Sequence, residues 1–138
     1  AVPSAGSKLM TPLRPLGGLA PIDRDDSWSA QRLVLNGFTS REVQGKVASY
    51  LERCPTFLAW MECTRDEVGD RFFMAGGSTI QSDGVYYWRN DASAYVKECG
   101  ATIPDEALRT FESRAWGPPT FDRVGYIRIY EELCELLC

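Results

Sequence analysis

Apolar residues along the chain fall into short runs whose period changes from one segment to the next. Val43, Val47, Tyr50 and Leu51 recur at helical spacing and Pro55 ends the run, which predicts a helix over residues 40–53 with one apolar face. Thr39, with Glu42 three residues on, reads as a capping box in which hydroxyl and carboxylate each reach the other residue's amide. Upstream, Arg32–Leu35 reads as a short buried strand or the last turn of a helix, closed by the turn signal Asn36-Gly37. The run TFLAWMEC, residues 56–63, is apolar on both parities and too short for an independent helix. It predicts a strand buried on both faces at the centre of a sheet.

Beyond Gly76-Gly77, two extended segments, 78–81 and 85–89, flank Ser82-Asp83-Gly84, a hairpin signal. Asn90 or Asp91 can cap a helix carrying Tyr95, Val96 and Cys99, with Gly100 suited to the left-handed position past its end. Pro104, Asp105 and Glu106 open a further helix bearing Ala107, Leu108, Phe111 and Ala115, broken at Gly117-Pro118-Pro119. After Thr120, GYIRIY alternates like a strand while YEELCELLC repeats like a helix; mostly helix is the expectation. Together these elements predict an α+β domain, with a small antiparallel sheet of three to four strands covered by three to four helices.

Composition divides the chain near residue 22. Residues 1–22 hold four of the eight prolines and three glycines but no acidic residue, so they are expected to form a flexible tail or linker rather than regular structure. A remnant of a longer polypeptide and an arm wrapping its own domain both fit this segment. Residues 23–138 then form a single globular domain.

Charge narrows the function classes. Fifteen basic and nineteen acidic residues give a net charge of −4, the wrong sign for a protein whose affinity comes from neutralising phosphates, so no nucleic-acid partner is expected. The same charge suits a basic protein partner, because opposite fields speed encounter. The absence of histidine removes Ser-His and Cys-His nucleophiles and the usual general base near neutral pH. Five cysteines without a C-x-x-C pair read as reduced thiols; Cys134 and Cys138, four apart on a helical C-terminus, supply only half a structural zinc site. No metal or cofactor is expected. Without a long apolar run or a secretory signal pattern, a cytoplasmic protein with no membrane partner is expected.

The candidate chemistry gathers in SDGVYYWRNDASAYV, residues 82–96. On a strand, Val85, Tyr87 and Arg89 point one way and Tyr86 and Trp88 the other. The second set is expected in the core. The first presents Tyr87 and Arg89, with Asp83 and Asp91 nearby, as an exposed partner-binding patch of the residue types enriched at interface hot spots. Glu62, Asp66, Glu67 and Asp70 add an acidic cluster after the 56–63 strand. They extend the binding surface or, in the alternative reading of a small enzyme built on carboxylates, Tyr and Arg, furnish an acid and a base. A regulatory scaffold module is a third reading. Gly76-Gly77-Ser78 lacks the lysine and spacing of a phosphate-binding loop.

Residues 76–108, GGSTIQSDGVYYWRNDASAYVKECGATIPDEAL, resemble a pattern in small uncharacterised bacterial proteins, some encoded beside polymorphic or contact-dependent toxins. There, an S-D-G turn, an aromatic strand ending W-R or W-P, a D-x-x-x-Y-V helix start and a P-x-E-hydrophobic helix follow one another. The resemblance covers about a quarter of the chain and implies a fold; no functional residue comes with it. It also implies an immunity-type role, in which the domain neutralises a cognate toxin by occlusion.

Overall fold

The structure, a computed structural model, describes residues 12–138. Six short strands and four helices follow one another: β1 Arg14–Pro15, α1 Arg41–Arg53, β2 Thr56–Leu58, β3 Cys63–Arg65, β4 Phe73–Ala75, β5 Ile80–Ser82, β6 Tyr86–Arg89, α2 Ala92–Cys99, α3 Asp105–Ser113 and α4 Arg123–Leu137. One sheet has the order β1-β6-β5-β2, antiparallel except for the parallel β1–β6 pair, and β3–β4 form a separate two-stranded ribbon. The α+β class is as expected, with a small sheet and several helices.

Both faces of the main sheet are covered. On one, Tyr86 and Trp88 pack with Val47, Tyr50 and Leu51 of α1, Val96 of α2 and Phe111 of α3. On the other, Tyr87 and Ile80 pack with Ile129 and Leu133 of α4. The strands buried on both faces are therefore β5 and β6, not residues 56–63. That run leaves the sheet after Leu58, where the register with β5 shifts. Thr79 then stands in for a ladder partner: its hydroxyl accepts from the Trp60 amide (3.0 Å) and donates to the Trp60 carbonyl (3.2 Å). Trp60 and Met61 are left exposed, at 39% and 95%.

Residues 12–22 also depart from the tail expectation. Leu13, Leu16, Leu19 and Ala20 are buried, and β1 is tied to β6 by amides of Arg14 and Leu16 that donate to the carbonyls of Val85 and Tyr87, both at 3.0 Å. The prolines and glycines do prevent a long element, but the leucines between them reach the core from an irregular path. This arm belongs to the domain, so the boundary at residue 23 is corrected; the rest of the expected tail, residues 1–11, lies outside the described residues.

Local signals hold with small shifts. Ser40, not Thr39, caps α1, its hydroxyl accepting from the Val43 amide at 3.2 Å, while Glu42 pairs with Lys46 instead of completing a capping box. Arg32–Leu35 continues irregularly from a 3-10 turn at Ala30–Arg32. Gly100 ends α2 at φ 67°, and a side chain there would also press on the Asn36 backbone. α3 stops at Ser113 because Ala115 and Trp116 turn left-handed, which sends Arg114 back toward the β5–β6 turn. Residues 123–137 are helical, opened by the Asp122 carboxylate accepting from the Gly125 amide at 2.7 Å. No helix among the described residues is long and apolar enough to cross a membrane.

Candidate functional site

Most of the expected binding residues turn out to be bound within the protein. Asp83 is buried at the β5–β6 turn. One of its oxygens accepts from the amides of Val85 (3.0 Å) and Tyr86 (2.8 Å); the other accepts from the Tyr50 hydroxyl (2.8 Å) and pairs with Arg114 (3.1 Å). Arg114 also donates to the Tyr50 oxygen at 2.9 Å, closing a three-membered polar knot inside the apolar face. Burial, with the charge of Asp83 beside it, pushes the Tyr50 phenol far above its ordinary range. Tyr87, expected outside, is fully buried because α4 covers its face of the sheet, and its hydroxyl donates to the Pro21 carbonyl at 2.6 Å.

The acidic cluster after the 56–63 run is also divided. Asp66 is buried and folds its own loop, accepting from the amides of Val68 (2.8 Å) and Arg71 (2.9 Å). Burial works to raise its pKa, but the amides of Arg71, Val68 and Gly69 bring it below the usual carboxylate value. Glu67 accepts from the Ala30 amide at 2.9 Å and anchors the 29–32 segment, while Asp70 pairs with Arg65 on the ribbon at 3.0 Å. The expected surface joining all eight residues does not form. Glu62 and Arg89 alone among them line one cleft, and Asp91 stands behind Arg89.

That cleft, of about 380 Å³, lies between the 21–28 loop, the Trp60–Glu62 segment, β5, β6 and the end of α4. Asp91 holds Arg89 by two parallel bonds, 3.0 and 2.9 Å, and takes a third from the Thr64 hydroxyl at 2.9 Å. The guanidinium is thereby held over the Trp28 ring, its carbon 3.8 Å from the ring centre. Trp28 is itself fixed, its indole N–H donating to the Gly18 carbonyl at 2.7 Å. Across the cleft stand Trp60 and Glu62, the latter accepting from the Ser78 hydroxyl. Arg24 secures the lower wall by donating from its side chain to the Glu135 carbonyl (2.5 Å) and from its amide to the Leu136 carbonyl (3.1 Å).

The charges in this cleft are unevenly neutralised. Asp26 is bound by Arg32 and by the Ile22 amide, and Arg89 is bound by Asp91, so these four groups are satisfied. Asp23 and Glu62 then remain with Arg24 as the one further positive lining group among the described residues, which leaves the cleft acidic and lined by two indoles. A larger groove, about 520 Å³, runs between α1 and α2, but the Gln44 amide bridges it to the carbonyls of Val96 and Lys97 and it has no comparable aromatic wall.

The Arg32 hydrogen bond, helped by the Ile22 amide, lowers Asp26 to about 2 from its ordinary 3.8. A carboxyl lowered on folding contributes stability that is complete above its unfolded value and is lost as pH falls through its folded value. Asp26→Asn is therefore expected to flatten the loss of thermal stability between about pH 4 and pH 2. Melting curves across that window check it; a slope equal to that of the parent chain contradicts it.

Trp28, Trp60, Asp23, Arg24 and Asp26 were not among the expected site residues. The apolar neighbours of Trp60 predict a buried strand there, and DRDDSW carries no periodic signal. The available clue was an exposed-type loop, rich in aspartate, that carries a tryptophan between two irregular segments. All five cysteines are free thiols, and no cluster of three or more metal-ligating side chains occurs among the described residues. Comparison of the chain with protein-family models, with curated proteins and with solved structures finds no match.

Proposed function

We propose that the domain binds another protein by receiving a basic segment in the cleft between Trp28 and Trp60, and that its biological form is immunity-type neutralisation of a basic toxin by occlusion. The observation that carries this reading is the contrast between that cleft and the rest of the polar chemistry. Asp66, Asp83 and Asp91 are consumed by internal bonds, whereas Glu62, Asp23 and the face of Trp60 are turned to solvent at one place.

An arginine or lysine entering there meets carboxylates and an indole face together, a combination that favours cations more than either alone. Met61 beside Trp60 adds an adaptable apolar contact at the rim. The net charge of −4 supports attraction of a basic partner over longer range. An enzyme drawing on the same residues would need two carboxylates facing a common cavity with separated acidities. Asp66 and Asp83 instead face their own loops.

The test is retention of a basic protein co-purified from the source cell, compared between the parent chain and Glu62→Lys and Trp60→Ala. Both variants are expected to weaken binding by on the order of tenfold or more, about 1.4 kcal/mol, with unchanged melting. Co-expression with the captured protein should relieve its toxicity, and Glu62→Lys should lose that protection. Undiminished retention by both variants would refute the cleft as the binding site, and retention without protection would refute the immunity role.

A further inference from the structure

We infer that the segment received in the cleft is a chain end, a C-terminal arginine or lysine whose side chain lies against Trp60 and Glu62 and whose terminal carboxylate is taken by Arg89 and Arg24. That guest is a narrower form of the basic segment proposed above and rests on that reading. Carboxylates and guanidiniums line the same space, and Asp23, Glu62 and Arg24 take part in no ion pair among the described residues. A guest carrying positive charge alone satisfies the two carboxylates but sets its charge against Arg24 and leaves Arg89 without an acceptor. A residue that carries both a cationic side chain and a terminal carboxylate meets both sets.

Arg89 supplies the more specific mark. Its bonds to Asp91 use Nε and Nη2, one edge of the planar fork, which neutralises the charge without exhausting the donors. Nη1, on the other side of the fork, has no hydrogen bond among the described residues, although the side chain is only 11% exposed. Asp91 is itself braced by Thr64, and the Trp28 ring lies under the guanidinium. This donor is therefore held in place at the cleft rather than carried on a mobile side chain. A terminal carboxylate offers two oxygens and a full charge, one oxygen for Arg89 and one for Arg24, where the main chain of an internal segment offers a single neutral carbonyl. Size agrees with a chain end. At about 380 Å³ the cleft lies at the small end of the ~300–1,000 Å³ of ligand pockets, which suits one terminal residue better than a run of several.

The test titrates the full chain with the peptide Gly-Ser-Gly-Arg ending in a free carboxylate and with the same peptide ending in an amide, binding being read from the Trp60 indole signal in NMR. The free-carboxylate peptide is expected to bind about tenfold more tightly. Arg89→Lys should bring that ratio toward one, because a lysine engaged by Asp91 presents no second nitrogen in a fixed geometry. Arg24→Gln, which leaves the pair of Arg89 and Asp91 intact, should lower the ratio in part. Free arginine should bind less tightly than the peptide, since its α-ammonium stands beside both guanidiniums. Equal affinity for the two peptides, or a ratio unchanged in both variants, overturns the chain-end guest; if Glu62→Lys still abolishes both bindings, the basic-segment reading survives that result. Free arginine binding as tightly as the peptide overturns the chain end in favour of an amino-acid ligand. Silence of the Trp60 indole toward both peptides up to about 10 mM overturns the basic-segment reading itself.

Discussion

Replacing both Leu16 and Leu19 by alanine is expected to unfold the domain or bring it close to unfolding. Each side chain is almost completely buried against the helical face of the sheet, and truncating one buried leucine costs about 2–5 kcal/mol. Two such losses approach the whole stability of about 5–15 kcal/mol that a domain possesses. The residues are adjacent, so their effects can couple and the single variants are needed to separate them. Urea denaturation of the three variants checks the result. A change below about 1 kcal/mol in the double variant would return this arm to the status of a tail, because surface substitutions away from structural features usually fall within about 0.5 kcal/mol.

Asp83→Ala is expected to cost about 3 kcal/mol or more, the second-largest effect of a local change. It strips the Tyr50 hydroxyl and the amides of Val85 and Tyr86 of an acceptor and leaves the Arg114 guanidinium without its carboxylate. Removing one partner of a buried pair is costly because the other charge remains in a low-dielectric setting, and the partial exposure of Arg114 places the effect at the lower end of the ~3–5 kcal/mol range. Tyr50→Phe removes two bonds, the one donated to Asp83 and the one accepted from Arg114, and should cost about 2 kcal/mol. A cycle of Asp83→Ala, Arg114→Ala and both together should show strong coupling by chemical denaturation. Additive effects would mean that the knot does not act as a unit.

These two cases also show what was legible in the chain. Helical spacing with a clear stop placed α1, and an Asp-Gly turn between extended segments placed the β5–β6 hairpin. Both signals are local, so no tertiary knowledge was needed. The identity of the central strand was not local. Residues 56–63 and 85–89 are both apolar on two parities, and only the packing of α4 over the second face decides that β6 is enclosed while Trp60 and Met61 emerge. The same covering buries Tyr87, which strand alternation alone turns outward, while Asp83 is taken up on the opposite face by Tyr50 and Arg114.

The arm shows a different limit. Proline and glycine in residues 12–22 correctly exclude a long helix or strand, but irregular backbone can still deliver leucines to a core, and composition does not distinguish an extended arm from a free one. Of the site, Arg89 and Glu62 were identifiable as charged residues beside aromatic ones. Their company was not: Trp28 and Asp23 reach the cleft from a loop more than fifty residues away from Arg89 in sequence. A tertiary site assembled from separate loops leaves no spacing pattern to read.

Binding in the cleft is read out by amide and indole NMR of the labelled domain titrated with the basic protein captured from its source cell. The largest shifts are expected on the Trp60 indole and on the backbone of residues 60–62 and 23–28, with Arg89 shifting alongside them, and these changes are expected to disappear in Glu62→Lys. Shifts confined to the groove between α1 and α2, with the Trp60 indole unmoved, would contradict it.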